Sequence, residues 1–491
     1  MHWTFDQHQC AFNNEGLRFA PRTGDGSTED PWRDADGRPP ERDPRRERDA
    51  VADYLARQPD SYRATVESLA RSLGPLDVAC RAVVLVPCRS EAAQLDTLLG
   101  WYADQRDLSG APLRPEQLEV QLLVNRFADE PDDGAAAIAD RYRGGRLRVT
   151  VAEYFHPPDE HAPLTMARKL SADVALWRAL QRPSYPAPLY LLSEDADVAW
   201  IDPRYVALAV STLDTRPGLD AARGQQDRCP WVMARHPLLV LMRRSWNFAE
   251  AVLARRSLRP DRNPQHDFTW NRLTTSGWNC AFTAEVYALV GGYNRDRPFE
   301  EDMDIGEKIS CLRAFERDGT LVPQVNTVGW LPTRAEGSPR RWLYWAATGV
   351  EPYEDTNQHE NFFRRDHERV VKDCSLTELE QLARPYTVLD PDRVTAALQR
   401  DLDFLPGRCG GRDDGRAVYQ RVLTLLGFAP GEAVVSDGTL RIRSLDAVGA
   451  RLERFGRFAK LMAGPYPATL PAGRAAFTWR LGAVPVRADV S

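Results

Sequence analysis

Residues 189–200, L189-Y-L-L-S-E-D-A-D-V-A-W200, decide how this chain folds. An apolar run drives into three carboxylates, Glu194, Asp195 and Asp197, and then turns apolar again. A short uninterrupted apolar run marks a strand covered on both faces, as in parallel sheets. Acids crowded at its end repel one another and lose hydration, at a cost of several kcal/mol per desolvated ion unless something positive sits among them. A divalent cation carrying a diphosphate meets that need. Asp195 and Asp197 lie two apart, so in extended chain both point to one side. A solvated strand-end loop is the plain alternative.

Outward from this strand the pattern repeats. A82-V-V-L-V-P87 is a second buried run, followed by helical spacing from Glu91. L118-E-V-Q-L-L-V124 predicts another strand, 134–141 a helix, 146–152 a strand and 166–180 an amphipathic helix. Strands alternating with helices imply a doubly wound α/β sheet with ligand sites at the carboxyl ends of its strands. The later half is less regular, with helices expected at 246–255, 304–317, 375–382 and 392–404. Residues 21–50 carry almost nothing to bury and read as a linker or surface loop. The expected organisation is an N-terminal extension at 1–50, a helical lead-in at 51–78, a main domain at 79–372 and a mainly helical region at 373–491.

Composition narrows the partners. With 491 residues and 43% hydrophobic content the chain can bury a full core. A net charge of −6 gives no global basic character, which argues against nucleic acid. The eight cysteines form no C-x-x-C pair, so neither a zinc site nor a disulfide framework is indicated. No apolar stretch approaches the roughly 20 residues needed to span a bilayer. The first residues lack the basic and apolar regions of a secretory signal. A cytoplasmic protein without a membrane span is the expectation; self-association is left open.

A second acidic cluster lies in F299-E-E-D-M-D-I-G-E-K-I309. Acids at a helix start meet the helix dipole favourably, which explains Glu300 or Asp304 without chemistry. It does not explain why two acid clusters accompany the other segments. Those are A82-V-V-L-V-P-C-R-S-E91, M166-A-R-K-L170, S193-E-D-A-D-V198, T275-S-G-W-N-C-A-F282 and the cluster at 299–309, in that order. Over roughly residues 80–345 this ordered set resembles the family 2 glycosyltransferases of GT-A fold, in their soluble, non-processive form.

The resemblance implies a Rossmann-like, nucleotide-sugar-binding mixed sheet flanked by helices, with an N-terminal extension and a small α-rich C-terminal region. It also implies roles. Pro87, Arg89 and Glu91 would meet the nucleoside, and Arg168 and Lys169 would form a basic element near the nucleotide. Asp195 would engage ribose and, with Asp197, a metal-bound diphosphate. Trp278 and Asn279 would lie near sugar and acceptor, and Glu301 and Asp302 would form the catalytic pair with Asp302 as base. His359 would be a third metal ligand, with His367 a lesser candidate, and Arg340 or Arg341 would meet the diphosphate. The cofactor would be Mn²⁺ or Mg²⁺, and the partners a UDP- or GDP-sugar and a small hydroxylated acceptor. Plainer readings stand beside these: Glu91 as a helix cap, Arg168 and Lys169 as a solvated helix face, Trp278 as core. The second strand ends L123-V-N-R-F-A-D-E130, so Asn125 stands where an aspartate would read the base, unless Asp129 or Asp132 substitutes. A nucleotidyltransferase of similar fold and a non-catalytic nucleotide-sugar module are the alternatives. The first is disfavoured because P87-C-R-S-E91 has no glycine.

Overall fold

The structure is a computed structural model, describing residues 22–23, 41–228 except 143, most of 275–337, 389–408, much of 419–449, and positions 238 and 241. The chain divides into two compact units, Phe5–Gln226 with Asn271–Gly337, and Met1–Thr4 with Asp227–Trp270 and Ser338–Ser491. Of the expected run 79–372, residues 227–270 and 338–372 group with the second unit, and residues 5–78 group with the first.

In the first unit a two-residue strand, Arg22–Thr23, pairs parallel with Phe315–Arg317, and two helices follow it, α1 (Pro44–Ala56) and α2 (Asp60–Leu73). Part of the stretch read as a linker is thus helical. Asp43 caps α1 by accepting from Arg45 N, and Pro44 sits in the first turn, where its missing N–H costs nothing. The charge-rich R-R-E-R-D run hides this start, yet Glu47 is buried and accepts from Leu189 N at 2.7 Å and Tyr185 Oη at 2.8 Å.

Then come β1 (Ala82–Cys88), α3 (Ala92–Ala103), β2 (Leu118–Phe127), α4 (Ala135–Asp140), β3 (Arg148–His156), α5 (Pro163–Leu180), β4 (Tyr190–Ser193), β5 (Val198–Ile201) and α6 (Tyr205–Thr215). They are followed by β6 (Ala221–Arg228), β7 (Cys280–Thr283), α7 (Ala284–Leu289), α8 (Glu301–Leu312) and β8 (Val328–Gly337). The helix expected to reach 317 ends at Leu312, and Phe315–Arg317 is a short strand.

Eight strands form one sheet in the order β3-β2-β1-β4-β7-β6-β8-β5. β1 pairs parallel with β2 (Ala82↔Leu118) and with β4 (Ala82↔Tyr190). β7 runs antiparallel to β4 and β6, and β8 antiparallel to β5. The α/β class with a mixed sheet flanked by helices is as expected. From β1 the chain winds outward to β2 and β3, then returns to β4 on the other side. Right-handed crossovers therefore put α3 and α4 on one face and α5 on the other. The winding reverses between β1 and β4, and a crevice opens beyond their carboxyl ends. The acids after β4 stand at that point.

α1 and α2 close the α5 side. Val51, Tyr54 and Leu55 pack with Val83, Leu85, Leu176 and Tyr287. Tyr62, Val66 and Ala70 pack with Leu123, Met166 and Leu170. Cys80, Cys88 and Cys280 are buried. In the second unit the described residues include a helix at Pro391–Arg408, as expected, and a hairpin, Ala433–Ser436 with Thr439–Ile442, within the region expected to be mainly helical. Among the described residues no helix is long and apolar enough to cross a membrane. The expected helices at 246–255 and 375–382 lie outside the described residues.

Candidate active site

The positive charge among the acids comes from the protein itself. Arg168, on α5, is 4% exposed and reaches under the end of β4. Its Nη2 donates to Asp195 Oδ1 at 2.5 Å, and its Nη1 to Ser193 Oγ at 3.0 Å and Gly277 O at 2.7 Å. Its Nε lies 2.9 Å from Glu301 Oε1, an ion contact without hydrogen-bond alignment. One guanidinium thus joins both acid clusters and the 277–279 loop between them. Burial alone would weaken its charge, but Asp195, Glu301 and Asp302 outweigh that and hold its pKa above the ordinary guanidinium value. Removing one side of such a buried ion group costs about 3–5 kcal/mol.

The second acid cluster opens α8, and its two leading members differ. Glu301 is buried against Arg168, and desolvation, with the neighbouring Asp302 charge, pushes its carboxyl up to about 7 despite Arg168. Asp302 is half-buried, and its Oδ2 accepts from Gly277 N at 2.7 Å while its carbonyl accepts from Thr275 Oγ1. Gly277 leaves room for the guanidinium: a Cβ there would lie 2.5 Å from Arg168 Nη2, which would have to shift. Asp304 belongs to structure, paired with Lys308 across one helical turn at 3.2 Å.

The acid turn after β4 is held from behind. Glu194 is fully buried; Tyr102 Oη donates to its Oε2 at 2.7 Å and Asn279 N to its Oε1 at 3.3 Å. Burial pushes its carboxyl up to about 8, the Tyr102 hydrogen bond opposing and the Asp195 charge reinforcing the shift. Asp195 and Asp197 each keep partial exposure toward solvent. Their hard carboxylate oxygens suit Mg²⁺ or Mn²⁺, which bind through one or two carboxylates plus substrate phosphates. Among the described residues no group of three or more His, Cys, Asp or Glu gathers to hold an ion.

Several expected site residues lie away from the acid clusters or within the core. Lys169 is not brought to the acids. One residue along a helix turns the side chain by about 100°, and Lys169 points to a different side of α5, where it meets Tyr54 Oη at 2.7 Å and Asp173 at 3.2 Å with no exposure. Neither Arg168 nor Lys169 is a solvated helix face. Asn125 is buried, with Nδ2 donating to Cys88 O and Leu123 O and Oδ1 3.0 Å from His156 Nε2. Asn279 is fully buried in a left-handed conformation (φ 47°), packed on Thr333 and Gly224, and Trp278 is 5% exposed. Both are core, apart from what their backbone holds.

The β1 end is as the strand reading implies. Pro87 is buried in β1 and Glu91 sits at the cap position of α3 without a side-chain capping bond. Arg89 pairs with Glu130, Nε to Oε2 at 3.0 Å, and lies over the Phe127 ring. Asp129 and Asp132 are on the loop after β2, Asp132 against Arg126 at 3.1 Å. Arg340, Arg341, His359 and His367 lie outside the described residues.

Sequence reasoning missed Ser193, Gly277 and Arg223. Arg223, on β6 opposite Cys280, is largely buried and within electrostatic reach of Asp302; burial lowers its pKa while Cys280 and Asp302 support its charge. Only Gly277 left a signal, as the glycine before W-N-C in T275-S-G-W-N-C280.

No protein-family model and no curated protein matches the chain. Among solved structures it is similar to a mannosyltransferase from Pyrobaculum calidifontis in complex with GDP-Man and Mn²⁺, at 15% identity and TM-score 0.31, over 86% of this chain and 99% of that one. It is also similar to glucosyl-3-phosphoglycerate synthase from Mycobacterium tuberculosis in complex with phosphoglyceric acid, at 18% identity and TM-score 0.27, over 53% and 72%. The same enzyme with Mn²⁺, UDP-Glc and phosphoglyceric acid matches at 15% identity and TM-score 0.28, over 66% and 85%. Superpositions this loose carry no inference about chemistry.

Proposed function

We propose that the chain is a metal-dependent glycosyltransferase of the family 2 type, moving a sugar from a nucleoside-diphosphate donor to a small hydroxylated acceptor with inversion. The supporting observation is the bridge by which Arg168 ties Asp195, beside the switch-point crevice, to Glu301 and, through Gly277, to Asp302. Two acid sites with different tasks are thereby held in one place.

In this reading the acceptor oxygen bonds to the anomeric carbon as that carbon's bond to the diphosphate breaks. The electron pair leaves with the diphosphate, and the hydroxyl proton passes to Asp302. Asp302 is the better base of the pair because it keeps partial exposure, whereas Glu301 is turned into Arg168. Glu301 is therefore assigned a positioning role, a revision of its catalytic expectation. Asp195 and Asp197 would hold Mn²⁺ or Mg²⁺, which supplies Lewis-acid charge against the departing diphosphate when bound. Arg168 fixes Asp195 and the 277–279 loop, so no reorganisation is needed when charge develops.

The test is a transfer assay with UDP- and GDP-sugars, Mn²⁺ and a panel of small hydroxylated acceptors. Release of nucleoside diphosphate with glycoside formation is expected, and Asp302→Asn should lower kcat by about 10²-fold or more. Pyrophosphate release from a nucleoside triphosphate would instead make the chain a nucleotidyltransferase, and a retained anomeric configuration would remove the direct displacement.

A further inference from the structure

Glu194 has no part in the chemistry above, yet it is a fully buried acid adjacent to the acid turn. Its surroundings come from three separate segments. Tyr102, on α3, donates its hydroxyl to Oε2 at 2.7 Å. The backbone N–H of Asn279, on the loop before β7, donates to Oε1 at 3.3 Å. Its own N–H continues the β1 ladder by donating to Leu85 O at 3.1 Å.

The Asn279 contact matters because of what the same loop holds at its other end. Gly277 O accepts from Arg168 and Ser193, and Gly277 N donates to Asp302 Oδ2. Between these two anchors the backbone turns through a left-handed Asn279, a conformation that asparagine tolerates but does not prefer. Asn279 O then accepts from Gly224 N at 3.0 Å, where a Cβ on Gly224 would lie within 2.7 Å of the Asn279 amide atoms. The loop is fixed at both ends, and one of the two fixings is Glu194.

We infer that Glu194 is a positioning residue that sets the distance between Asp195–Asp197 and Asp302, by gripping Asn279 N–H while standing one residue before Asp195. The inference rests on the proposed transferase reading for its catalytic consequence and on geometry alone for the grip. The path runs from Asp302 through Gly277 and Asn279 to Glu194 and so to Asp195, each link a hydrogen bond or a peptide bond. It shares Gly277 and Asp195 with the Arg168 route but reaches Asp195 through Asn279 and Glu194 without the guanidinium.

The experiment compares Glu194→Leu, Glu194→Gln and Tyr102→Phe in the full chain, by hydrogen–deuterium exchange and by steady-state kinetics. Glutamine keeps an acceptor for Asn279 N–H and a donor for the Tyr102 oxygen, whereas leucine keeps neither. Faster exchange in the peptide covering 275–283 is expected for Glu194→Leu, wild-type exchange for Glu194→Gln, and an intermediate result for Tyr102→Phe. Kinetically, Glu194→Leu should lose kcat on the order of 10–100-fold, as small misplacements do, with donor KM little changed and Glu194→Gln recovering most of the loss. Unaltered exchange at 275–283 in folded Glu194→Leu overturns the inference, whether or not the chain transfers sugar. Faster exchange with wild-type kcat overturns its catalytic part. Absence of transfer by the wild-type chain sinks the transferase reading, while the exchange data still decide the grip.

Discussion

At the scale of single residues, Arg168 and Lys169 show how one step along a helix separates two tasks. Arg168 faces the acids at the sheet end, and Lys169 faces Tyr54, Tyr62 and Asp173. Lys169→Met leaves Asp173 buried without its cation, and a loss of about 3 kcal/mol in chemical denaturation is expected, with nucleoside-diphosphate affinity as in wild type. Weakened affinity at unchanged stability would return Lys169 to the donor site. Gly277→Ala places a methyl against the Arg168 guanidinium. A drop in kcat of about 10-fold or more is expected in the transfer assay, following the rule for misplaced catalytic groups; full activity would show that the Arg168 bridge tolerates displacement. Both acid clusters were legible in the sequence as D-A-D and E-E-D. The guanidinium between them was not, because local sequence does not say which of two adjacent basic residues points inward.

At the scale of elements, β1 and β4 were readable as near-continuous apolar runs, and β2 and β3 as apolar-rich stretches set between helical ones. β5 and β8 were not, since their pairing, Ala335 with Ile201, joins residues far apart in sequence. The hairpin at Ala433–Ile442 did leave a signal, the Asp437–Gly438 pair with both φ angles positive, which is the turn that favours tight hairpins. α1 illustrates burial overriding composition. Its Glu47 carboxyl is pushed up from 4.5 to about 7 by desolvation, opposed by Leu189 N–H and Tyr185 and by the Arg42 charge, and reinforced by Glu285, which is itself paired with Arg46. The sign follows directly. Between pH 4.5 and about 7 the folded chain keeps a proton that the unfolded chain has released, so stability falls as pH rises through that window and is flat above it. Glu47→Gln should remove this dependence, which totals on the order of 3 kcal/mol across the window, in denaturation curves taken over that range. An unchanged slope would place the titration elsewhere.

At the scale of the whole molecule, the reversal of winding between β1 and β4 puts the loops after both strands at one crevice, and α5 sends Arg168 to it from the face that α1 and α2 cover. That much of the architecture follows from alternating strands and helices with right-handed crossovers. The division into two units did not, because the chain leaves the first unit after Gln226 and returns at Asn271, a path with no local signature. The central claim is that Asp195 and Asp197 bind a divalent ion that anchors the donor's diphosphate. Its most direct test is the thermal stability of wild type and Asp197→Ala with UDP or GDP, each with and without Mn²⁺. Stabilisation is predicted for wild type only when nucleotide and Mn²⁺ are both present, reaching about 2.7 kcal/mol at a hundredfold excess over Kd, and none for Asp197→Ala. Equal stabilisation by nucleotide without Mn²⁺, or an undiminished effect in Asp197→Ala, would contradict the account.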